Sequence, residues 1–280
     1  MLSIEASLQQ RFPLNKPGYY ITVFLLTVVY YTYAYLPVGS AKTNNPRTEW
    51  YAQHRKWIKY SQAIFIVTCL AAGIFFLIRN GNAIKQINAA ELTLALIFPL
   101  LAFFYYGIDH NLVSGFNLRS IGWLKPFLIG FVWAGLVTVF PVWYYFITRE
   151  QHYAFTIIGC LLFLKNFMFI TVLGIMFDIK DYATDSNRRL KTFVVSTGLR
   201  KTIFYIIIPL SVLGLGTFLA FGLNNGFSAG KIMINCIPFI LLITVAWSLY
   251  RRKSILFYLV IIDGLMLVKA ICGIVAMIYF

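Results

Sequence analysis

The chain has 280 residues, of which 60% are hydrophobic, 18% aromatic and only 12% charged, with a mean hydropathy of +0.77. A soluble domain carries about 25% charged residues, so this composition excludes a soluble globular protein, a disordered chain and a disulfide-stapled secreted module. What remains is a polytopic all-α membrane protein, and the net charge of +15 has to be read in that setting.

Eight apolar runs reach the roughly 20 residues that a membrane helix needs: 19–37, 60–78, 90–108, 124–147, 153–178, 202–223, 231–249 and 254–279. Each is too long for a barrel strand and lacks inside–outside alternation. They predict a single membrane domain over 1–280, a bundle of about eight transmembrane helices. Residues 1–18 precede the first run and contain Glu5, two prolines and two basic residues, which is not the pattern of a cleavable signal peptide. They are expected to form an N-terminal segment on the outer side.

The loops fix the expected orientation. Segments 38–59, 109–125, 178–201 and 250–253 hold sixteen Lys and Arg, against six on the opposite side. By the positive-inside rule the first set is cytoplasmic and both termini lie outside. The basic excess is then a topology signal with some attraction for anionic lipid or diphosphate. Nucleic-acid modules, a P-loop, a G-x-S-x-G elbow and an H-E-x-x-H helix are all absent from the sequence.

Polar residues are scarce enough to take one at a time. Cys69, Cys160, Cys236 and Cys272 all fall inside apolar runs without a C-x-x-C pair, so they read as core residues. Pro99, Pro141, Pro209 and Pro238 are expected to bend helices. Asp109, His110 and Asn111 either extend a polar site near Arg119 or cap a helix end. His54 and His152 fall on opposite sides and share no metal site. Lys165, Asp263 and Lys269 lie inside apolar runs and are functional candidates by default; Lys165 and Asp263, at comparable depth, predict a buried ion pair, and snorkelling is the alternative for Lys269.

Three of the nine acids fall within eight residues, Asp178, Asp181 and Asp185 in FDIKDYATD. At about 100° per residue the three side chains stay within roughly 60° of one helix face if the helix continues. They lie at a helix C-terminus, where cations are favoured. Three carboxylates there call for neutralisation by Lys180, Arg188, Arg189 and Lys191, or by a hard divalent cation such as Mg²⁺, which commonly bridges carboxylates to phosphate oxygens.

This D-x-x-D-x-x-x-D pattern, followed by a basic turn and Thr192-Phe193-Val194-Val195-Ser196-Thr197-Gly198, resembles the second Asp-rich motif of the UbiA-type intramembrane prenyltransferase superfamily. Val194 stands where that family usually has Pro. The LRSIGWLKPFLIG segment adds Arg119 and Lys125 at positions where the family places basic residues facing a diphosphate. The chain has five runs before the motif and three after it, like a family member lacking its first helix. The family's other motif, N-x-x-x-D-x-x-x-D, is missing; Asn45, Glu49 and Gln53 repeat only its spacing.

The resemblance implies Mg²⁺-dependent transfer of a prenyl group from a prenyl diphosphate to a lipophilic acceptor, often aromatic, within the membrane. It assigns Asp178, Asp181 and Asp185 to metal binding and catalysis, and Arg119 and Lys125 to the diphosphate. The missing motif keeps a second reading open, a non-catalytic membrane protein that binds an isoprenoid or quinone on the same scaffold. A small-solute transporter is a third, and would place polar groups through the whole membrane depth.

Overall fold

A computed structural model describes residues 1–33, 46–106, 121–153, 156–187, 191–251 and 253–280. Every regular element among them is helical. In chain order these are α1 (Leu2–Gln9), α2 (Pro17–Tyr33), α3 (Pro46–Gln53), α4 (Arg55–Arg79), α5 (Gly81–Lys85), α6 (Ala89–Tyr106), α7 (Lys125–Ile147), α8 (Ile157–Asn187), α9 (Phe193–Thr197), α10 (Leu199–Asn224), α11 (Ala229–Ser248) and α12 (Ile255–Tyr279).

Six of these are long and apolar enough to cross a membrane: α4, α7, the Ile157–Tyr182 part of α8, α10, α11 and α12. The chain is thus a helical bundle of the multi-pass membrane type. The other two apolar runs form α2 and α6, with 17 and 18 described residues. At 1.5 Å per residue each spans about 25 Å, and both border segments outside the described residues.

Where the sequence reads as one domain, the chain folds as two compact units. One comprises 1–14, 88–146 and 152–280, and the other 15–87 with 147–151. In the second unit α2 packs on α4, with the Cys69 thiol directed at the Thr22 carbonyl at 3.9 Å. The remainder of the description concerns the first unit.

Its centre is α8, flanked by α7 and α10, with α9 folded onto its C-terminal part. Phe169, Val172, Leu173 and Met176 of α8 join Phe218, Phe239 and Ile207 in one buried apolar cluster. Small residues set the spacing, as expected where helices associate without help from water exclusion. A Cβ on Gly130 of α7 would overlap the Thr171 hydroxyl and lie 3.1 Å from the Phe167 carbonyl, and one on Gly174 of α8 would lie 3.0 Å from Pro126 Cβ. Gly130→Val is therefore expected to force α7 off α8 and lower stability by about 1–3 kcal/mol. The thermal midpoint in detergent checks this, with Gly73→Val on α4 as the neutral control, because its Cβ would meet nothing within 4 Å.

Three spanning helices contain a wide π-helical turn, at Gly135–Val139, Ile203–Ile207 and Tyr258–Ile262. The first two lie immediately before Pro141 and Pro209. A proline removes one backbone donor and crowds the carbonyl four residues earlier, and a widened turn relieves that crowding. The start of α6 is tied by a reciprocal cap. Asn88 Oδ1 accepts from the Glu91 N–H at 2.9 Å, and Glu91 Oε2 accepts from the Asn88 N–H at 3.0 Å. The Glu91 carboxylate also accepts from the Tyr153 N–H and contacts His152 Nδ1 at 3.3 Å, which fixes the turn before α8.

Candidate functional site

The α8 helix does not stop where its apolar stretch ends. It continues through Asn187, so Asp178, Asp181 and Asp185 lie on one unbroken helix. Segment 178–201, expected as a loop, is helical at both ends, because α9 begins at Phe193. Thr192 starts that short helix, its hydroxyl accepting from the Val195 N–H at 3.4 Å.

Asp178 is fully buried, and Lys125 Nζ donates to its Oδ1 at 2.7 Å. Lys125 opens α7 in a Lys-Pro start, and the Gly174–Pro126 contact brings that first turn against α8. A carboxylate beside the start of a helix is favoured by the partial positive charge there. Asp181, one turn further on, is half-exposed and lies 3.5 Å from Lys180 Nζ. The two polar segments meet as well: a Cβ on Gly122 would lie 2.6 Å from the Lys191 carbonyl carbon. Beyond Gly198, whose φ of +84° only glycine adopts easily, Arg200, Lys201, Phe204 and Tyr205 line an open hollow of about 440 Å³.

Of the five residues expected at the site, the structure therefore joins two, Lys125 and Asp178, and places Asp181 on the same helix end. Arg119 lies outside the described residues, as do the side chain of Asp185 and the Asp109–His110–Asn111 trio. Among the described residues no three His, Cys, Asp or Glu side chains converge as metal ligands. Asn45 is also outside the described residues, and Glu49 and Gln53 are exposed on α3 in the other unit.

A second polar cluster was not foreseen. Lys165 does not pair with Asp263, which is exposed. Its Nζ donates to Glu5 Oε1 at 3.0 Å and to Gln9 Oε1 at 2.7 Å. Lys269 does not snorkel; its Nζ donates to Glu5 Oε1 at 2.9 Å and Oε2 at 2.7 Å. Gln9 Nε2 donates to Asn235 Oδ1 at 2.8 Å. All five side chains are buried. α1 itself is packed against α12, with Glu5 and Gln9 set among side chains from α8, α11 and α12. Lys165 lies thirteen residues before Asp178 on α8, about 20 Å along the axis, so the two clusters are separate.

Comparison with protein-family models, with curated proteins and with solved structures yields no match. Function has to be argued from these two clusters.

Proposed function

We propose that the chain is an eight-helix membrane protein of UbiA-like design that binds a prenyl diphosphate at the Asp178 end of α8, on the cytoplasmic side, and transfers the prenyl group to a lipophilic acceptor. The observation that carries this reading is the buried Lys125–Asp178 pair with Asp181 one helical turn beyond it. An ammonium and two carboxylates at a membrane boundary suit a ligand that brings both a divalent cation and phosphate oxygens.

The donor set fits Mg²⁺, which is usually held by one or two protein carboxylates together with substrate phosphates. Asp178 and Asp181 would hold it, with Asp185 next on the same helix. When bound, the ion supplies neutralisation of the charge that grows on a departing diphosphate. The chain's own residues do the rest. Lys125 donates to a phosphate oxygen, exchanging part of its bond with Asp178 for one to the ligand. Burial against α7 removes water from the carbon that loses its diphosphate. The basic start of α10, at Arg200 and Lys201, adds positive potential at the same end of the bundle.

Asp181→Asn tests the reading with little risk to folding, because the side chain is half-exposed. Mg²⁺-dependent binding of a prenyl diphosphate to the purified variant is expected to fall at least tenfold, with expression and thermal midpoint unchanged. Unchanged binding would remove Asp181 from the site and the reading with it.

One observation favours the non-catalytic alternative. Asp178 already has a cation in Lys125, which leaves it less committed to a metal. Incubation with labelled prenyl donor and a lipid extract separates the two. A prenylated lipid product supports transfer, and tight binding without product supports a carrier or binder.

A further inference from the structure

The cluster around Glu5 lies about 20 Å along α8 from the site just proposed and is independent of it. It holds two ammonium groups and one carboxylate. Among the described residues, no carboxylate other than Glu5 lies within ion-pair distance of Lys165 or Lys269. The two lysines come from different spanning helices and converge on the same oxygen, Glu5 Oε1, while Lys269 also reaches Oε2. Each ammonium has an aromatic face on another side, Lys165 at 5.5 Å from the Phe218 ring centre and Lys269 at 5.7 Å from that of Phe169.

The receiving helices are shaped for a carboxylate. A side chain at position 273 of α12 would run into the Glu5 carboxyl group, and glycine leaves that space open. Asn235 of α11, anchored by its Nδ2 to the Lys231 carbonyl at 2.9 Å, presents its oxygen to the Gln9 amide beside it. The pocket is thus built from α8, α11 and α12, and the carboxylate in it is supplied by a different element.

That element is weakly attached by apolar criteria. The buried residues of α1 are Ser3, Glu5, Ala6, Ser7 and Gln9, four of them polar. The helix has no side-chain N-cap, and the chain leaves it through Arg11 at a φ of +59°. Polar contacts of this kind give little net stabilisation when another polar partner can replace them. A helix held through its carboxylate is exchangeable against another carboxylate.

We infer that Lys165 and Lys269 form a carboxylate-binding site, and that Glu5 of α1 is its built-in occupant, displaceable by a carboxylate from outside the chain. The ligand class is a monocarboxylate, either small and free or carried on a lipid chain. Binding it releases α1 from α12, so the site also reports to the N-terminus.

The test uses Glu5→Ala in the full-length protein, purified in detergent. Its thermal midpoint is expected to fall by roughly 10 °C, because two buried ammonium groups lose their counter-charge. Potassium acetate should then raise it saturably, and potassium chloride at equal ionic strength should not. Oleate in mixed micelles is the second arm. Rescue by acetate assigns a small free carboxylate, rescue by oleate alone assigns a lipid-borne one, and rescue by neither overturns the proposal. Equal rescue of the Glu5→Ala/Lys165→Met/Lys269→Met variant would also overturn it. Should Glu5→Ala fail to fold, Ser7→Cys on the otherwise intact chain gives an independent reading. Ser7 is buried, and maleimide labelling of the residue-7 peptide, followed by mass spectrometry, should be faster in acetate or in oleate than in chloride. Equal rates would show that α1 is not displaced and would contradict the inference.

Discussion

The Lys165→Met/Lys269→Met double variant is expected to lose about 3–5 kcal/mol of stability, seen as a fall in thermal midpoint of roughly 10 °C for a chain of this size. Both substitutions keep the approximate length of the side chain and remove only its charge. What they leave is a Glu5 carboxylate 1% exposed, with the Gln9 amide at 3.2 Å as its remaining hydrogen-bond donor. A buried carboxylate that has lost its cations is among the costliest defects in a folded protein. Each single variant keeps one ammonium on Glu5 and should lose less than half as much, so the effects are not additive. Adding Glu5→Met to the double variant should restore most of the loss, because an apolar replacement of a whole buried ionic group is commonly neutral or stabilising. Unfolding followed by tryptophan fluorescence in detergent measures all four. A triple variant as unstable as the double would show that packing, rather than charge, holds α1.

The second large effect concerns Lys125 and Asp178, and its sign follows from their unequal burial. Asp178 is 0% exposed, whereas Lys125 is 21% exposed at the start of α7. Asp178→Ala frees an ammonium that can turn toward water, at a cost of only about 1 kcal/mol because the cation is then solvated. Lys125→Ala takes the ammonium from a carboxylate buried too deeply to turn toward water, at a cost of about 3–5 kcal/mol. The lysine variant is therefore expected to unfold well below the aspartate variant. A Lys125→Asp/Asp178→Lys exchange should recover part of the stability and none of the Mg²⁺-dependent diphosphate binding, because the carboxylate is then moved off the helix that carries Asp181. Equal losses in the two single variants would mean that the pair is not the buried contact described here. Recovered binding in the exchanged protein would mean that the ligand does not read the positions of the charges.

The helical membrane bundle was legible because hydrophobic run length needs no tertiary information. Six of the eight runs, all but the first and third, correspond to candidate spans within five residues at each end. The fifth run ended too early at 178, because a helix end was inferred from polarity. In the fold a polar last stretch is simply the part of α8 that extends past its apolar length, through Asn187. Lys165 stood out as a charge inside an apolar run, and a buried ion pair was expected for it, while snorkelling was the alternative for Lys269; both lysines pair with Glu5 instead. Their partner was missed because Asp263 was the nearest acid by depth, and depth says nothing about which face a side chain takes. The signal that could have found it was present. Two lysines in the interior exceeded the single aspartate available, and Glu5 and Gln9 are spaced i, i+4, on one face of any helix they form. Glu5 had been weighed only against a signal peptide. At the other end, juxtaposition of Lys125 with Asp178 follows from small residues, Gly130 and Gly174, that let α7 and α8 approach. Such contacts become readable only when the register of two helices is known.

The most direct test of the central claim is equilibrium binding of a labelled prenyl diphosphate to the purified wild-type protein, with Mg²⁺ and again with excess EDTA. The account predicts saturable binding with Mg²⁺ and a loss of at least tenfold in affinity when the metal is removed. Absence of saturable binding, or binding indifferent to EDTA, would contradict it.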